Sequence, residues 1–352
     1  MCPFSPAATM TLPTVMIMLL VTISNAVVIA FAFTFGGGGC YRDGHRLRRW
    51  NRGFDIDRFN EKSFLLDRTI VPTRIFNAVS NGYGNGMDQI RLMESDMLVC
   101  VDSKDIPCGK MSKKEAHSFN QATPRGCAHR AFSVFLFNGD GKLLLTQRAA
   151  SKITFPSVWT NTCCSHPLYG QALDEVDQPD DFPHFPGIKH AAIRKLYHEL
   201  GIPPEDVPHE DFRFLTRYHY WAADTVTYGE GTPWGEHEID YILFFQCAGE
   251  GPRVTANHEE VSNFKYVSVK ELKHMMYSDE HKGLLWSPWF RGIMENGGFL
   301  FWENLEEALR PGSCFCSSDI VYFDPPKEHF ASYNLSMHGR ETGVVTAEPI
   351  AH

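Results

Sequence analysis

Two short motifs place reactive side chains two residues apart. The sequence reads TNTCCSHP around Cys164 and His166, and GEHEID around Glu236 and Glu238. Side chains in an extended strand alternate between its faces, so each motif would put its pair on one face. Imidazole and carboxylate groups can hold a metal, and a thiol and a carboxylate can exchange protons with a substrate. The motifs predict a pocket that combines a metal with an acid/base pair.

Composition and charge narrow the class of protein. The 352 residues are 43% hydrophobic and 13% aromatic, enough for a large globular core. A net charge of −9 argues against a general nucleic-acid binder. Ten cysteines are too sparse in this length for a disulfide scaffold, and adjacent Cys163 and Cys164 favour a reducing compartment.

The first 41 residues form a hydrophobic segment. Its uncharged run Leu12–Phe35 is long enough to cross a bilayer with some tilt, and no basic region precedes it as in a cleaved secretory peptide. The basic stretch 42–52 follows, so by the positive-inside tendency this stretch and everything after it would stay cytosolic. The segment predicts a membrane anchor, with an N-terminal extension of no function as the alternative.

Further boundaries follow from composition. Residues 42–86 are rich in charge and glycine without sustained periodicity, which indicates a linker. Residues 87–310 carry sustained hydrophobic periodicity, which indicates a folded catalytic domain. Residues 311–352 turn polar and rich in proline and glycine, which predicts a disordered tail.

Hydrophobic periodicity within 87–310 predicts mixed strands with few helices, and therefore an α+β fold. The predicted strands are Leu98–Asp102, Ala128–Phe137, Lys142–Gln147, Trp159–His166, Phe212–Ala222 and Glu238–Cys247. The predicted helices are Ile188–Leu200, Val269–Met276 and Trp302–Leu309.

The end of the first predicted helix, RKLYHELGI at 194–202, resembles the end of the Nudix box, R-E-U-x-E-E-x-G-U, in which U is a bulky aliphatic residue. Lys195 and His198 stand where two glutamates belong, and Glu199 keeps its acid. Nudix hydrolases use these carboxylates to hold metals that activate water against a diphosphate. This helix is therefore expected to bind a metal-bridged diphosphate but to be poorly equipped to cut it.

Several motifs in order resemble the type I isopentenyl-diphosphate isomerases, from about Met87 to about Leu309. They are HRAFSVFLFN, KITFPSVWTNTCCSHP, HELGIP, WGEHEIDYIL and SPWF. The resemblance implies a Nudix-type α/β/α sandwich with a mixed sheet and a core at about 127–297. It also implies interconversion of isopentenyl and dimethylallyl diphosphate by protonation and deprotonation, supplying isoprenoid biosynthesis.

Roles in proton transfer follow from this resemblance. Cys164 and Glu238 are implied as the acid/base pair on opposite sides of the substrate, with Tyr220 hydrogen-bonded to the carboxylate side. Trp289 resembles the aromatic residue that faces the carbocation, where a π-face stabilises positive charge by ~1–2 kcal/mol. Without the resemblance, a cysteine in a strand or a tryptophan near a core would more often be a packing residue.

The resemblance also implies two metals and a substrate-anchoring set. Nitrogen and oxygen donors without thiolate suit Zn²⁺, Mn²⁺ or Mg²⁺ at the first site, and Mg²⁺ suits a second ion against the diphosphate. The implied ligands of the first site are His117, His129, His166, Glu236 and Glu238, and Glu199 would hold the second ion. The implied substrate-binding residues are Lys113, Arg148, Lys152, Ser165, Lys195 and Trp289, although Lys114 could exchange places with its neighbour.

Two alternatives remain open on the sequence. The first is a Nudix diphosphate hydrolase, which would release phosphate. Two of the helix carboxylates that this activity needs are missing from this chain. A membrane-tethered protein that binds metal without catalysis would make the N-terminal segment its defining feature, and the presence of Cys164, Glu238 and Tyr220 speaks against it. The expected partner is a small isoprenoid diphosphate and not a nucleic acid.

Overall fold

The computed structural model describes residues 18–23, 26–31 and 89–331. The chain divides into two units, Met1–Phe64 and Leu65–His352. In the first unit, strand β1 (Met18–Ile23) pairs antiparallel with β2 (Ala26–Phe31).

Both strands lie within the predicted membrane-spanning run. Over the described ranges, no helix is long and apolar enough to cross a membrane. The remainder of Leu12–Phe35 and the predicted linker at 42–86 lie outside the described residues, so the anchor and the linker stay predictions.

The second unit is built on a ten-stranded mixed sheet. Its main path runs β11-β6-β5-β10-β9-β12, with β10 parallel to β5 and β12 parallel to β9. Off this path, β3 pairs with β4 and β5, β7 pairs with β6, and β8 pairs with β5. The strands are β3 (Met97–Val101), β4 (Pro107–Ser112), β5 (His129–Phe137), β6 (Leu143–Arg148), β7 (Trp159–Thr160), β8 (Cys163–Ser165), β9 (Arg213–Ala223), β10 (Gly235–Gln246), β11 (Val261–Val267) and β12 (Ile320–Tyr322).

Helices cover both faces of the sheet. The α-helices are α1 (Gln89–Ser95), α2 (Lys113–Ala116), α3 (Pro186–Leu200), α4 (Thr225–Tyr228), α5 (Val269–Tyr277), α6 (Pro288–Ile293), α7 (Phe299–Glu303) and α8 (Leu305–Leu309). Short 3-10 turns lie at Pro179–Asp181, Pro204–Asp206, His209–Asp211, Asp279–His281 and Lys327–His329, and a π-turn joins α6 to α7 at Met294–Gly298.

Alternation along the central strands divides the core between the two faces. On β5, Phe132 and Val134 pack into the cluster that contains α3, whereas Phe135 and Phe137 pack into the cluster that contains α6. Every residue of β5 is buried, because helices cover the sheet on both sides at this strand. The predicted mixed sheet between helical layers is confirmed.

Two predicted elements are each split in the structure. The predicted strand Trp159–His166 forms β7 and β8, because the Asn161 side chain turns the chain by donating to the carbonyls of Val134 and Cys163 at 3.1 Å each. His166 therefore follows β8 instead of alternating with Cys164 inside one strand. The predicted helix Trp302–Leu309 is also interrupted, at Asn304.

The structure differs from the predicted disordered tail over residues 311–331. Strand β12 adds to the sheet edge beside β9, and Phe323 stacks on Tyr220 with ring centroids 5.2 Å apart. His329 Nδ1 lies 3.1 Å from the carbonyl of Ala223, which anchors the segment further along. The segment is polar and proline-rich on average, but a few apolar side chains bind it to the domain. Residues 332–352 lie outside the described part.

Candidate active site

Glu238 lies at the centre of the candidate site because of strand register. On β10 it is directly opposite His129 of β5 and directly opposite Tyr220 of β9. Opposed residues on paired strands point to the same face, so three functional side chains converge there. Glu236 points to that face as well, two residues before Glu238.

Three histidines and two glutamates form a buried cluster whose donor atoms all lie within 4.8 Å of one another. His117 Nε2 is 2.6 Å from Glu236 Oε2, and His166 Nε2 is 2.8 Å from Glu238 Oε1. His129 Nε2 is 3.7 Å from the same Glu238 oxygen. These are the five residues that the family resemblance implied as metal ligands.

Backbone carbonyls fix the orientation of two of the imidazoles. Nδ1 of His117 lies 2.7 Å from the carbonyl of Lys113, and Nδ1 of His129 lies 2.7 Å from the carbonyl of Cys127. A carbonyl can accept but not donate, so Nδ1 carries the hydrogen and the Nε2 lone pair of a neutral ring points into the cluster.

Several donor atoms of the cluster lack an ordinary partner. His117 Nε2, His129 Nε2 and Glu236 Oε2 are buried and form no well-directed hydrogen bond among the described residues. Buried polar atoms are normally satisfied, so convergent atoms of this kind fit a bound cation. Five nitrogen and oxygen donors suit a divalent metal.

The charges of the cluster are coupled. Burial favours the neutral form of His129, but Glu238 outweighs it and raises the pKa of this histidine. Burial, followed by the neighbouring His129 and His117, holds the pKa of His166 well below its usual range. Burial alone would raise the pKa of Glu238, but His129 and then Tyr220 lower it, which favours a carboxylate at this position.

Tyr220 supports this carboxylate directly. Its hydroxyl donates a hydrogen bond to Glu238 Oε2. Burial, and then the charge of Glu238, raise the pKa of Tyr220 well above its usual range. The phenol therefore stays protonated and remains a donor to Glu238.

The Cys164 thiol is enclosed by polar groups. It donates to Asn161 Oδ1 at 2.7 Å and accepts from the indole Nε1 of Trp289 at 2.9 Å. The Ser133 hydroxyl is 3.7 Å away. Burial, followed by the charge of Asp240, raises the pKa of Cys164 to about 12, so the thiol is neutral at physiological pH.

Cationic side chains line the same cavity. Lys195 Nζ is 3.0 Å from Glu199, and Lys152 Nζ is 2.5 Å from Glu260. Burial lowers the pKa of Lys152 to about 8, and neighbouring cations, Lys113 among them, act in the same direction against Glu260. Such a concentration of positive charge favours an anionic ligand.

The cavity brings together residues that are far apart in the sequence. Its volume is about 20 Å³, which is room for about one water molecule. Lining residues are Lys113, Arg148, Lys152, Thr154, Cys164, Ser165, His166, Lys195, Glu199, Tyr220, Glu236, Glu238 and Trp289.

Among the predicted site residues, His117 and His129 belong to the His/Glu cluster but do not line this cavity. Lys114 is exposed and lies 3.5 Å from Glu94, so Lys113 is the lysine that reaches the cavity. The Arg148 guanidinium lies over the Trp289 ring, 5.6 Å from its centroid. One face of the indole is thus covered by a cation of the protein itself.

Two buried acids of the site were missed in the sequence. Asp240 accepts from the Ser133 hydroxyl at 2.7 Å, and burial together with Glu238 raises its pKa well above the usual range. The strand alternation that selected Glu236 and Glu238 continues to Asp240 and could have found it. Glu260 had no comparable local signal.

Comparison with known proteins places this geometry in a family. A model of the NUDIX domain matches residues 128–287. The isopentenyl-diphosphate delta-isomerase of Schizosaccharomyces pombe is 45% identical over 228 residues, covering 63% of this chain and 90% of that protein. The corresponding proteins of Candida albicans and Dictyostelium discoideum are 46% and 44% identical, covering 63% and 65% of this chain and 78% and 90% of those proteins.

The sheet, its helical layers and the domain match define a Nudix-domain protein. Within that class, identity and coverage go further: this chain belongs to the isopentenyl-diphosphate delta-isomerase family.

Proposed function

We propose that this protein interconverts isopentenyl diphosphate and dimethylallyl diphosphate. The observation that carries the proposal is a neutral thiol, Cys164, and a carboxylate, Glu238, lining one cavity beside a cluster of cations. Family membership supports the same reaction, because the relatives are named for it.

The reaction needs one proton donor and one proton acceptor. A proton adds to the terminal alkene carbon, giving a tertiary carbocation-like state, and a proton leaves the neighbouring methylene to form the new double bond. Protons balance and no redox cofactor is required. Cys164 and Glu238 are the two groups that exchange these protons, and their roles reverse with the direction of reaction.

Stabilising the cation requires a dry site without a competing nucleophile. Trp289 is 3% exposed and Tyr220 is 1% exposed, and both line the cavity. The Trp289 indole orients the Cys164 sulfur through its Nε1 hydrogen bond while its ring adds π-electron density near the reacting carbons. These side chains exclude water from the cation.

A divalent metal fits the five-residue His/Glu cluster, whose buried, unsatisfied donor atoms support it. We propose Mg²⁺, Mn²⁺ or Zn²⁺ there, held by His117, His129, His166, Glu236 and Glu238. The bound ion would fix the Glu238 carboxylate and offset its charge. At the cationic end, Glu199 would hold Mg²⁺ against the diphosphate while Lys113, Arg148, Lys152, Ser165 and Lys195 bind its oxygens.

The decisive experiment incubates the purified full chain with isopentenyl diphosphate and Mg²⁺. We expect an acid-labile allylic product and no release of phosphate. Cys164→Ala and Glu238→Gln should each abolish turnover while the fold, measured by circular dichroism, is retained. Cys247→Ala, which removes another half-buried thiol, is the matched control and should stay active. Phosphate release without isomer exchange would favour hydrolysis; near-normal activity of either site variant would overturn the proton-transfer assignment.

We propose further that Leu12–Phe35 tethers the protein to a membrane with the catalytic domain on the cytosolic side. Its uncharged length and the basic stretch that follows support this topology. Fractionation of cells expressing the full chain should leave it in the membrane pellet after alkaline extraction. Recovery of the intact chain in the soluble fraction would exclude the anchor, and protease resistance of the catalytic domain in sealed vesicles would exclude the topology.

A further inference from the structure

A second cavity lies away from the candidate active site and shares no lining residue with it. Its volume is about 300 Å³, within the range of small-molecule pockets. It is bordered by the turn before α3, the beginning of β9 and the segment that follows α8. The proposed isomerisation does not use any of these residues.

A buried lysine faces this cavity. Lys189 of α3 is only 6% exposed, and its ammonium makes no hydrogen bond or ion pair within residues 89–331. The ammonium is not sealed from solvent, so an anion that enters the cavity can reach it and pair with it. Burial, and then the nearby Arg213, lower the pKa of Lys189, although Asp177, Cys316 and Glu210 act in the opposite direction.

The charges around Lys189 leave a positive excess in the cavity wall. Arg213 donates to the carbonyls of Leu309 at 2.9 Å and of Glu210 at 2.5 Å, so neutral groups hold this guanidinium. Arg310 is paired with Glu307 at 2.7 Å. Glu210 also lines the cavity and is its one lining carboxylate. It faces two cations, Lys189 and Arg213, neither of which forms an ion pair with a described carboxylate.

The rest of the wall is apolar. Phe212 and Phe214 are 1% and 4% exposed, and Ala308 is fully buried, yet all three line the cavity. Apolar side chains on the wall of a cavity favour a ligand with a hydrocarbon body. The wall therefore has one cationic end and one apolar surface.

We propose that this cavity binds a small amphiphilic anion, with its carboxylate or phosphate head on Lys189 and its hydrocarbon body against Phe212 and Phe214. The head supplies the counter-charge that Lys189 lacks. The hydrocarbon body fills the space beside the two phenylalanines. Binding here is independent of the proposed isomerase reaction, since the two cavities have no residue in common.

Calorimetric titration of the full chain with octanoate and with octyl phosphate tests the proposal and distinguishes the two head groups. We expect saturable binding of at least one, and at least tenfold weaker binding of acetate, inorganic phosphate and octanol, each of which lacks one half of the ligand. Lys189→Met should weaken binding at least tenfold, and Lys189→Arg should retain it. Lys270→Met, at an exposed lysine of α5, is the matched control and should bind as the unmodified chain does.

Saturating Mg²⁺ and inorganic pyrophosphate should not displace the probe, because they bind in the other cavity. Displacement would place the probe in the active site and overturn the proposal, as would equal binding by Lys189→Met or no binding of either probe. If Lys189→Met does not fold, Lys189→Gln replaces it, with folding checked by thermal unfolding. Octanoate or octyl phosphate should raise the unfolding temperature of the unmodified chain and leave that of the folded variant unchanged.

Discussion

Tyr220 and Glu238 stand directly opposite each other on neighbouring antiparallel strands, and the phenol donates a hydrogen bond to the carboxylate. Tyr218, two residues earlier on the same strand face, instead donates to the carbonyl of Asn296 at 2.7 Å. The two tyrosines are equally buried, at 1% exposure each, but only Tyr220 contacts a group proposed to move protons. They provide a matched pair for separating catalytic support from packing.

Tyr220→Phe should lower kcat for isomerisation by about tenfold to a hundredfold, because a hydrogen bond to a charged group contributes about 1.5–3 kcal/mol. Steady-state kinetics measures this effect. Tyr218→Phe should lose stability of about 1 kcal/mol while keeping kcat within a few-fold. Equal loss of kcat in both variants would mean that the loss comes from disturbed packing along β9 and that the phenol of Tyr220 has no particular role.

Metal content gives a prediction that can be measured separately from turnover. His166→Ala should lower the bound divalent metal per chain, since it removes one of five convergent donors. Elemental analysis after dialysis measures the metal, and chelation of the unmodified protein should abolish isomerisation. His258→Ala, at an exposed histidine outside the cluster, should keep full metal content. Full activity of metal-free protein would contradict the prediction.

Strand alternation predicted part of this site but could not predict its assembly. It placed Glu236 and Glu238 on one face, and the structure confirms that both point into the cluster. The meeting with His129 depends on the parallel pairing of β10 with β5, a contact between segments about a hundred residues apart that no local pattern encodes. The family resemblance supplied that information, because it carries the topology with it.

Contacts made by side chains of unremarkable segments were harder to predict. Glu260 precedes β11 by one residue, in a polar turn that reads as solvated surface, yet it is buried against Lys152. Phe323 likewise lies in a segment whose composition predicts disorder, but it stacks on Tyr220. In both cases a tertiary contact overrides a local preference, and single-sequence patterns report only the preference.

The high pKa of Cys164 leads to a prediction about its reactivity. The thiolate is the species that reacts with iodoacetamide, and a pKa near 12 leaves the thiol protonated through the neutral range. In the substrate-free protein, alkylation of Cys164 should therefore accelerate about tenfold per pH unit from pH 6 to pH 9 without a plateau. Mass spectrometry of the peptide containing Cys164 measures the rate, with exposed Cys108 as the internal reference. A plateau near neutral pH would show a stable thiolate and contradict the neutral thiol.

Glu260 is expected to set substrate affinity through Lys152. Its carboxylate is 2.5 Å from Lys152 Nζ, and its other oxygen accepts from Gln89 at 3.1 Å. Glu260→Gln removes the partner that raises the pKa of Lys152, so that pKa should fall below about 8. The lysine then loses its proton more readily and holds the diphosphate less well. We therefore expect KM for isopentenyl diphosphate to rise roughly tenfold with kcat nearly unchanged. A tenfold change corresponds to a loss of about 1.4 kcal/mol of binding free energy.

The sign of the pH dependence distinguishes this mechanism from a general loss of structure. Lys152 is charged below its pKa and neutral above it, so lowering the pKa moves the loss of charge to lower pH. The KM ratio of Glu260→Gln to the unmodified protein should therefore be larger at pH 8 than at pH 6.5. Glu259→Gln, a change of the exposed neighbouring acid, should leave KM unchanged at both pH values. A KM ratio that does not change with pH, or a loss confined to kcat, would show that Glu260 acts by some route other than the charge of Lys152.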